Sequence, residues 1–98
     1  MKGTASADEM LSQIEQILND EIWQAITNER ACQDRKYGEI QQRDLSIGDY
    51  LVILRQELGE AERAYVGTPN PAAEALREIL QVAAVAVACL QRHGVMER

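Results

Sequence analysis

The sequence predicts an all-α protein, a single domain over residues 1–98 that is built from three helices. Apolar residues recur at steps of three and four in each part of the chain, as in helices that bury one face. Glycine and proline fall mainly between these stretches. No stretch shows the alternation of polar and apolar residues that is typical of a strand. With 46% hydrophobic and 27% charged residues, the composition is that of a globular protein.

The first helix is predicted from Ser6 to about Lys36. Ser6 and Glu9 form an S-x-x-E capping box, and apolar residues follow at helical spacing: Leu11, Ile14, Leu18, Ile22 and Ala25. Because such a helix is long for a globular protein, a break near Asn19-Asp20 is an alternative. The segment from Gly38 to Leu45 is predicted to be a polar loop.

Two further helices follow the loop. The second begins at Ser46, where Asp49 completes an S-x-x-D cap, and is predicted to end near Tyr65. The third begins with Asn70-Pro71, an N-cap residue followed by proline at the first helical position. It is predicted to end at His93-Gly94, since glycine suits the left-handed conformation that follows many helices.

The third helix is apolar on nearly every side between Ile79 and Leu90. A helix of this kind must be covered all round, which two other helices of a 98-residue chain cannot easily do. We therefore expect a homodimer, or a higher oligomer, in which third helices meet through small residues: Ala83, Ala84, Ala86 and Ala88. A monomer in which this helix lies at the centre is the alternative.

Charge and cysteine content restrict the partners. The net charge of -6 disfavours binding to a nucleic acid polymer. The chain has no apolar leader, and the apolar run in the third helix is too short to cross a bilayer. Cys32 and Cys89 lack the spacing of a metal or redox motif. We expect a cytoplasmic protein with no membrane partner and with reduced, mostly packed thiols; a disulfide is the alternative.

Acidic residues interrupt the apolar faces of the second and third helices. Glu57 and Glu60 share a face with apolar neighbours, and Glu78 and Gln81 do so on the third helix. Buried carboxylates normally pair with cations or bind a metal. Oxygen ligands suit hard cations, so three acids converging from two helices predict a magnesium site.

Three blocks of the sequence resemble the MazG-like all-α nucleoside triphosphate pyrophosphohydrolases. The blocks, in the order of the family, are ERACQDRKYG at 29–38, DYLVILRQELGEAERA at 49–64 and LREILQVAAVAVACL at 76–90. The family has an ExxE pair on one helix and an ExxD pair on the next, which together bind magnesium. Glu57 and Glu60 match the first pair. Glu78 begins the second pair, but Gln81 stands at the aspartate position.

The resemblance implies a house-cleaning enzyme that hydrolyses a nucleoside triphosphate between the α- and β-phosphates, with Mg²⁺ as cofactor. Glu57, Glu60 and Glu78 would then be the catalytic acids and, with Gln81, the metal ligands. The alternative is a non-catalytic relative, a helical oligomer that binds nucleotide or a protein partner. Gln81 favours this alternative because it removes one charge from the site. Gln56, which stands where the family has an acid, favours it for the same reason.

The first helix would supply the substrate-binding residues. Gln33 could bind a base edge, Arg30 and Lys36 could meet phosphates, and Trp23 could stack on a base. Structural roles are the alternative for all but Gln33: ion pairs or solvent for the two cations, and the core for Trp23. The match to the family supports Arg30 and Gln33, which fall in its ERxxQxxxxG block.

Overall fold

The computed structural model describes the backbone of residues 6–41 and 44–98, and the side chains of residues 6–35 and 44–98. This part of the chain forms three α-helices and no strand: α1 (Ala7–Gln41), α2 (Ile47–Gly67) and α3 (Pro71–His93). The predicted all-α fold is confirmed. No helix in the described part is long and apolar enough to cross a membrane.

α1 is one helix of 35 residues, without the break considered near Asn19-Asp20. One of the two hydrogen bonds of the predicted capping box is seen: the Glu9 backbone N–H donates to Oγ of Ser6 over 3.1 Å. The predicted end near Lys36 is wrong, since the helix continues through Gly38 to Gln41. A glycine inside a helix costs only about 1 kcal/mol, and no proline follows to stop the helix.

The start of α2 is confirmed in detail. The Asp49 backbone N–H donates to Oγ of Ser46 over 3.0 Å, and the Ser46 N–H donates to Oδ2 of Asp49 over 2.9 Å. Hydrogen bonds from the backbone and side chain of Ser46 hold the pKa of the Asp49 carboxyl below its ordinary value. The helix ends at Gly67, slightly beyond the predicted Tyr65.

The predicted ends of α3 are also confirmed, although Asn70 makes no side-chain capping bond. Gly94 follows the helix with φ of 97°, a conformation that favours glycine, and its N–H donates to the Leu90 carbonyl over 2.8 Å. Nε2 of His93 lies 2.8 Å from the carbonyl oxygen of Leu45. The ring of His93 also meets Tyr50 edge-on, with centroids 6.0 Å apart. His93 therefore fastens the end of α3 to the start of α2.

α3 is the central helix of the chain. It packs against both α1 and α2, which make no close backbone contact with each other in the described part. Ala84 is fully buried and Val85 nearly so. The expectation that Ala84 faces a second copy is therefore wrong, because α3 turns this residue toward its own chain.

Both cysteines are free thiols. Cys89 is half-buried on α3, but Cys32 is exposed on α1. The packed environment expected for both is thus wrong for Cys32, whose side of α1 is not covered by another described helix.

Candidate metal centre

Three glutamates from two helices meet at one point. Glu57 and Glu60 come from successive turns of α2, and Glu78 comes from the second turn of α3. Each offers a carboxylate oxygen, and the three oxygens lie within 4.8 Å of one another. The helical spacing explains the arrangement, since residues three apart share a face and α2 packs along α3. We call these residues the acid cluster.

Two oxygens of the acid cluster have unmet hydrogen-bonding capacity. Oε2 of Glu57 and Oε2 of Glu78 are shielded from solvent and accept no hydrogen bond. The ion pairs of the described part lie elsewhere, joining Arg30 with Asp34, Arg77 with Glu74 and Arg92 with Asp44. Shielded carboxylate oxygens without a donor are costly. A bound cation would satisfy both atoms at once.

The electrostatics of the acid cluster act mainly on Glu57. Partial burial raises the pKa of its carboxyl above the ordinary value, and the negative charges of Glu60 and Glu78 raise it further. A hydrogen bond with the Glu60 side chain contributes in the same direction. Like charges held this close disfavour full ionisation unless a cation offsets them.

A fourth acid belongs to this neighbourhood and was missed by the sequence analysis. Glu29 of α1 is half-buried, and its charge also raises the pKa of Glu57. Glu29 begins the ERACQDRKYG block, but the sequence analysis gave it no role in the site. A signal was present, because Glu29 continues the three- and four-residue spacing of apolar residues through Ala25. Its approach to Glu57 depends on how α1 crosses the other helices, which spacing alone does not define.

Gln81 and Gly59 flank the acid cluster. Gln81 is half-buried on α3, three residues after Glu78. Gly59 lies on α2 between two of the acids. A glycine inside a helix is less favourable than alanine, and either close approach of another helix or room for a ligand could explain its presence here. The atoms nearest to a Cβ placed at Gly59 all belong to Arg63, the nearest being Nη1 at 3.2 Å. Close approach of another helix is therefore not the reason for this glycine.

The residues of the acid cluster fit a hard cation. All three donors are carboxylates, which are ligands preferred by Mg²⁺, Ca²⁺ and Mn²⁺. The two shielded oxygens without donors are the structural observation that favours a cation over simple solvation. The amide oxygen of Gln81 would add a neutral ligand if the side chain turns toward Glu78.

A groove between α1 and α3 contains two of the predicted substrate-binding residues. Trp23 and Arg30 line this groove, which has a volume of about 290 Å³ and includes Gln91 on the α3 side. Trp23 is 59% exposed, so it lies outside the core considered as its alternative. Arg30 donates to Oε1 of Gln91 over 3.0 Å and lies 3.8 Å from the Asp34 carboxylate. Its guanidinium is thus positioned by two contacts at the edge of the groove.

The other two predicted substrate-binding residues are Gln33 and Lys36. Gln33 is half-buried on α1 and does not line this groove. The side chain of Lys36 lies outside the described residues. The structure thus brings together Glu57, Glu60 and Glu78 in one place and Trp23 with Arg30 in another.

Comparison of the chain with protein-family models, with curated proteins and with solved structures gives no match. The resemblance to the MazG-like enzymes therefore rests on the three sequence blocks alone.

Proposed function

We propose that the protein is a magnesium-dependent nucleoside triphosphate pyrophosphohydrolase that releases pyrophosphate and a nucleoside monophosphate. The observation that carries the proposal is the acid cluster, in which three carboxylates from α2 and α3 lie within 4.8 Å. Two of its oxygens are shielded and lack donors. An anionic substrate cannot approach such a cluster without a cation between them, because the bare carboxylates would repel its phosphates.

Glu57, Glu60 and Glu78 would hold the ion, which supplies positive charge to the phosphates and activates water for attack. The surrounding residues have separate tasks in this proposal. Arg30 was expected to meet phosphate oxygens, but it is held beside Gln91 at the edge of its groove, about 20 Å from Glu78 along α3, so within one chain it would reach only a part of the substrate remote from the ion. Trp23 stacks on the base, because its ring is exposed in the same groove.

A carboxylate that is not engaged with the cation would accept a proton from the attacking water. Glu29 is our candidate for this task, because its half-buried carboxylate lies close enough for its charge to raise the pKa of Glu57, and it is not one of the three clustered ligands. General bases of this kind typically contribute 10²–10⁴-fold to a rate. The assignment rests on proximity of charge, so Glu29→Gln should lower the turnover number more than it weakens binding of Mg²⁺.

Self-association and a cytoplasmic location complete the proposal. The described helices leave most of their large apolar side chains exposed, which favours an oligomer. Nucleoside triphosphates are abundant in the cytoplasm, where the thiols of Cys32 and Cys89 would remain reduced.

The second candidate function is a non-catalytic oligomer that binds nucleotide or a protein partner. Gln81 favours it, because the position at which the family has an aspartate here lacks a charge. The wide apolar surfaces of α1 and α2 favour it as well. In this case the acid cluster would bind a cation or nucleotide without hydrolysing a phosphoanhydride bond.

One assay separates the two functions. Pyrophosphate release is measured from a panel of nucleoside and deoxynucleoside triphosphates, with and without Mg²⁺, for the wild type, Glu60→Gln and Glu62→Gln. Glu62 is exposed on the same helix and lies outside the acid cluster, so its variant is the matched control. We expect release that needs Mg²⁺, is lost in Glu60→Gln and is retained in Glu62→Gln. Absence of release from every triphosphate would reject the enzyme and leave the non-catalytic oligomer.

A further inference from the structure

A cavity lies where the end of α3 meets α1 and the start of α2. Its volume is about 300 Å³, and residues of all three helices line it: Arg30 of α1, Tyr50 of α2, and Ala88, Gln91 and Arg92 of α3. Sites for small molecules typically have volumes of roughly 300–1,000 Å³, so the cavity suits a small ligand. We call it the three-helix cavity.

The polar side chains of the three-helix cavity offer hydrogen-bond donors. Arg30 and Arg92 carry guanidinium groups, which donate and never accept. Oε1 of Gln91 already accepts from Nη2 of Arg30 over 3.0 Å, so the amide N–H groups of Gln91 remain to donate. No carboxylate is among the described residues that line the cavity. Donors and positive charge without an opposing carboxylate are complementary to an anion.

Tyr50 adds a hydroxyl whose hydrogen-bonding capacity is not used. The residue is only 7% exposed, and its ring meets His93 edge-on. Its hydroxyl nevertheless makes no hydrogen bond within the described part of the chain. A buried tyrosine hydroxyl usually has a hydrogen-bond partner. An anion in the cavity that Tyr50 lines would provide an acceptor for this hydroxyl.

Both arginines have acidic partners, but neither acid lines the three-helix cavity. Nη1 of Arg30 is 3.8 Å from the carboxylate of Asp34, whose side chain is 52% exposed. Nη1 of Arg92 is 3.3 Å from the carboxylate of Asp44, whose side chain is 97% exposed. Exposed ion pairs contribute little to stability, so an anion can replace these acids. The negative end of the α3 dipole, about half a charge, is also smaller than the two full charges of the arginines.

We propose that the three-helix cavity binds a phosphate group, either as free inorganic phosphate or carried on a small organic molecule. A guanidinium presents paired N–H groups that match two phosphate oxygens. The guanidiniums of Arg30 and Arg92 and the hydroxyl of Tyr50 together serve three oxygens of a phosphate dianion, whereas a carboxylate has only two. Gln91 keeps Arg30 at the cavity through its side-chain oxygen.

The three-helix cavity is separate from the acid cluster. Gln91 follows Glu78 by thirteen residues, about 20 Å along α3, and Tyr50 precedes Glu57 by two turns, about 10 Å along α2. No residue that lines the cavity belongs to the acid cluster. Because the arginines supply the positive charge, a phosphate group binds here without a metal ion. The proposal therefore does not depend on hydrolysis at the acid cluster.

The first test is calorimetric titration of the full-length chain with inorganic phosphate, in a buffer free of divalent cations. We expect one phosphate per chain. Arg30→Gln and Arg92→Gln should each weaken binding about tenfold or more, since each removes charged hydrogen bonds. Arg77→Gln removes the same charge from the other end of α3, where Arg77 pairs with Glu74, and should bind phosphate like the wild type. A wild type that does not bind phosphate, or equal losses in Arg77→Gln and Arg92→Gln, would overturn the proposal.

The second test separates the hydroxyl of Tyr50 and the acid cluster from the arginines. Tyr50→Phe keeps the ring beside His93 and should weaken phosphate binding about threefold or more without lowering the melting temperature. Unchanged affinity in this variant would reject the role of the hydroxyl. Glu60→Gln should bind phosphate like the wild type. Binding that needs Mg²⁺ and is lost in Glu60→Gln would place the anion at the acid cluster and overturn the proposal.

The third test distinguishes free phosphate from a phosphate group on an organic molecule. The groove of Trp23 borders the three-helix cavity, because Arg30 and Gln91 line both. Trp23 is the only tryptophan of the chain, so its fluorescence reports a flat ring in that groove. AMP that displaces inorganic phosphate, binds more tightly and changes this fluorescence would identify an organic carrier. Equal affinities for AMP, ribose phosphate and inorganic phosphate would identify the phosphate group alone as the ligand. Failure of all three to bind would overturn the proposal, provided that circular dichroism shows a folded protein.

Discussion

Glu57 on α2 and Glu78 on α3 approach each other with one carboxylate oxygen each shielded from water and without a hydrogen-bond donor. Neither carboxylate takes part in an ion pair in the described part of the chain. Two anionic groups held in this way destabilise the helix pair that carries them. A bound cation would offset this cost, and for this reason the arrangement supports the metal site that we propose.

The acid cluster should bind Mg²⁺ through charge as well as shape. Glu60→Gln keeps the size of the side chain but removes one negative charge. We expect the affinity for Mg²⁺ to fall at least about tenfold, which corresponds to ~1.4 kcal/mol. Isothermal titration calorimetry measures the change, with Glu62→Gln as the control for loss of an acid elsewhere on α2. Equal affinity of both variants for Mg²⁺ would contradict a metal site at the acid cluster.

Ionisation of Glu57 should cost the metal-free protein stability as the pH rises. The pKa of Glu57 is raised in the folded state, so the fold favours the protonated carboxyl. Its contribution is fully present below the unfolded pKa, near the ordinary value of 4.5, and is lost as the pH rises through the higher pKa of the folded state. Glu57→Gln should therefore be more stable than the wild type at pH 7 and equally stable at pH 4.

This prediction is checked by urea unfolding in the presence of a chelator at the two pH values. The same measurement on Glu62→Gln provides the baseline for removing an exposed carboxylate from α2. If the free energy of unfolding changes equally between pH 4 and pH 7 in the wild type and in Glu57→Gln, the neighbours of Glu57 do not raise its pKa in the folded state.

Gln81→Asp tests the site by adding a negative charge, whereas the variants above remove one. If its side chain reaches the cation, Gln81→Asp adds a charged ligand, and both the affinity for Mg²⁺ and the rate of triphosphate hydrolysis should rise. Thermal melts of wild type and variant, each with and without Mg²⁺, measure the effect. We expect the variant to melt at a higher temperature with Mg²⁺ than without it, by a wider margin than the wild type. A variant that melts lower and ignores Mg²⁺ would show that residue 81 faces packed apolar side chains.

Gly59 can be replaced without harm to the fold. A Cβ at this position would lie 3.2 Å from Nη1 of Arg63, the end of a flexible side chain that can move aside. Since alanine is better than glycine inside a helix, Gly59→Ala should stabilise the protein by about 0.5–1 kcal/mol. Urea unfolding measures the gain, and calorimetry should show unchanged binding of Mg²⁺. Weaker binding of Mg²⁺ with the same gain in stability would indicate that a ligand occupies the space beside Gly59.

The acid cluster could be predicted from the sequence because its geometry is mostly local. Glu57 and Glu60 share a helical face by spacing alone, and Glu78 reaches them because consecutive helices with a short connection pack side by side. The helix starts at Ser46 and Pro71 were equally local, since they depend on capping residues within one turn.

The missed features depend on contacts between distant parts of the chain. The apolar spacing of Leu11 and Ile14 indicated a buried face, but spacing does not say whether the cover comes from the same chain or from another. The continuation of α1 past Gly38 was not predicted, because a single glycine is a weak signal for the end of a helix. Glu29 was missed because only the crossing of α1 brings its charge near Glu57.

The separation of α1 from α2 has a consequence for how the chain opens. In the described part of the chain α1 packs on α3 and not on α2, so fraying of its first half need not disturb the α2–α3 pair. If copies associate as we propose, amide protons of residues 7–24 should exchange with solvent more slowly as the protein concentration rises. Amide protons around Ala84 should exchange at a rate that does not depend on concentration, because α3 there can open locally while the copies stay associated. The degree of order in the first half of α1 would thus depend on the concentration of the protein. The acid cluster on α2 and α3 would remain formed at every concentration.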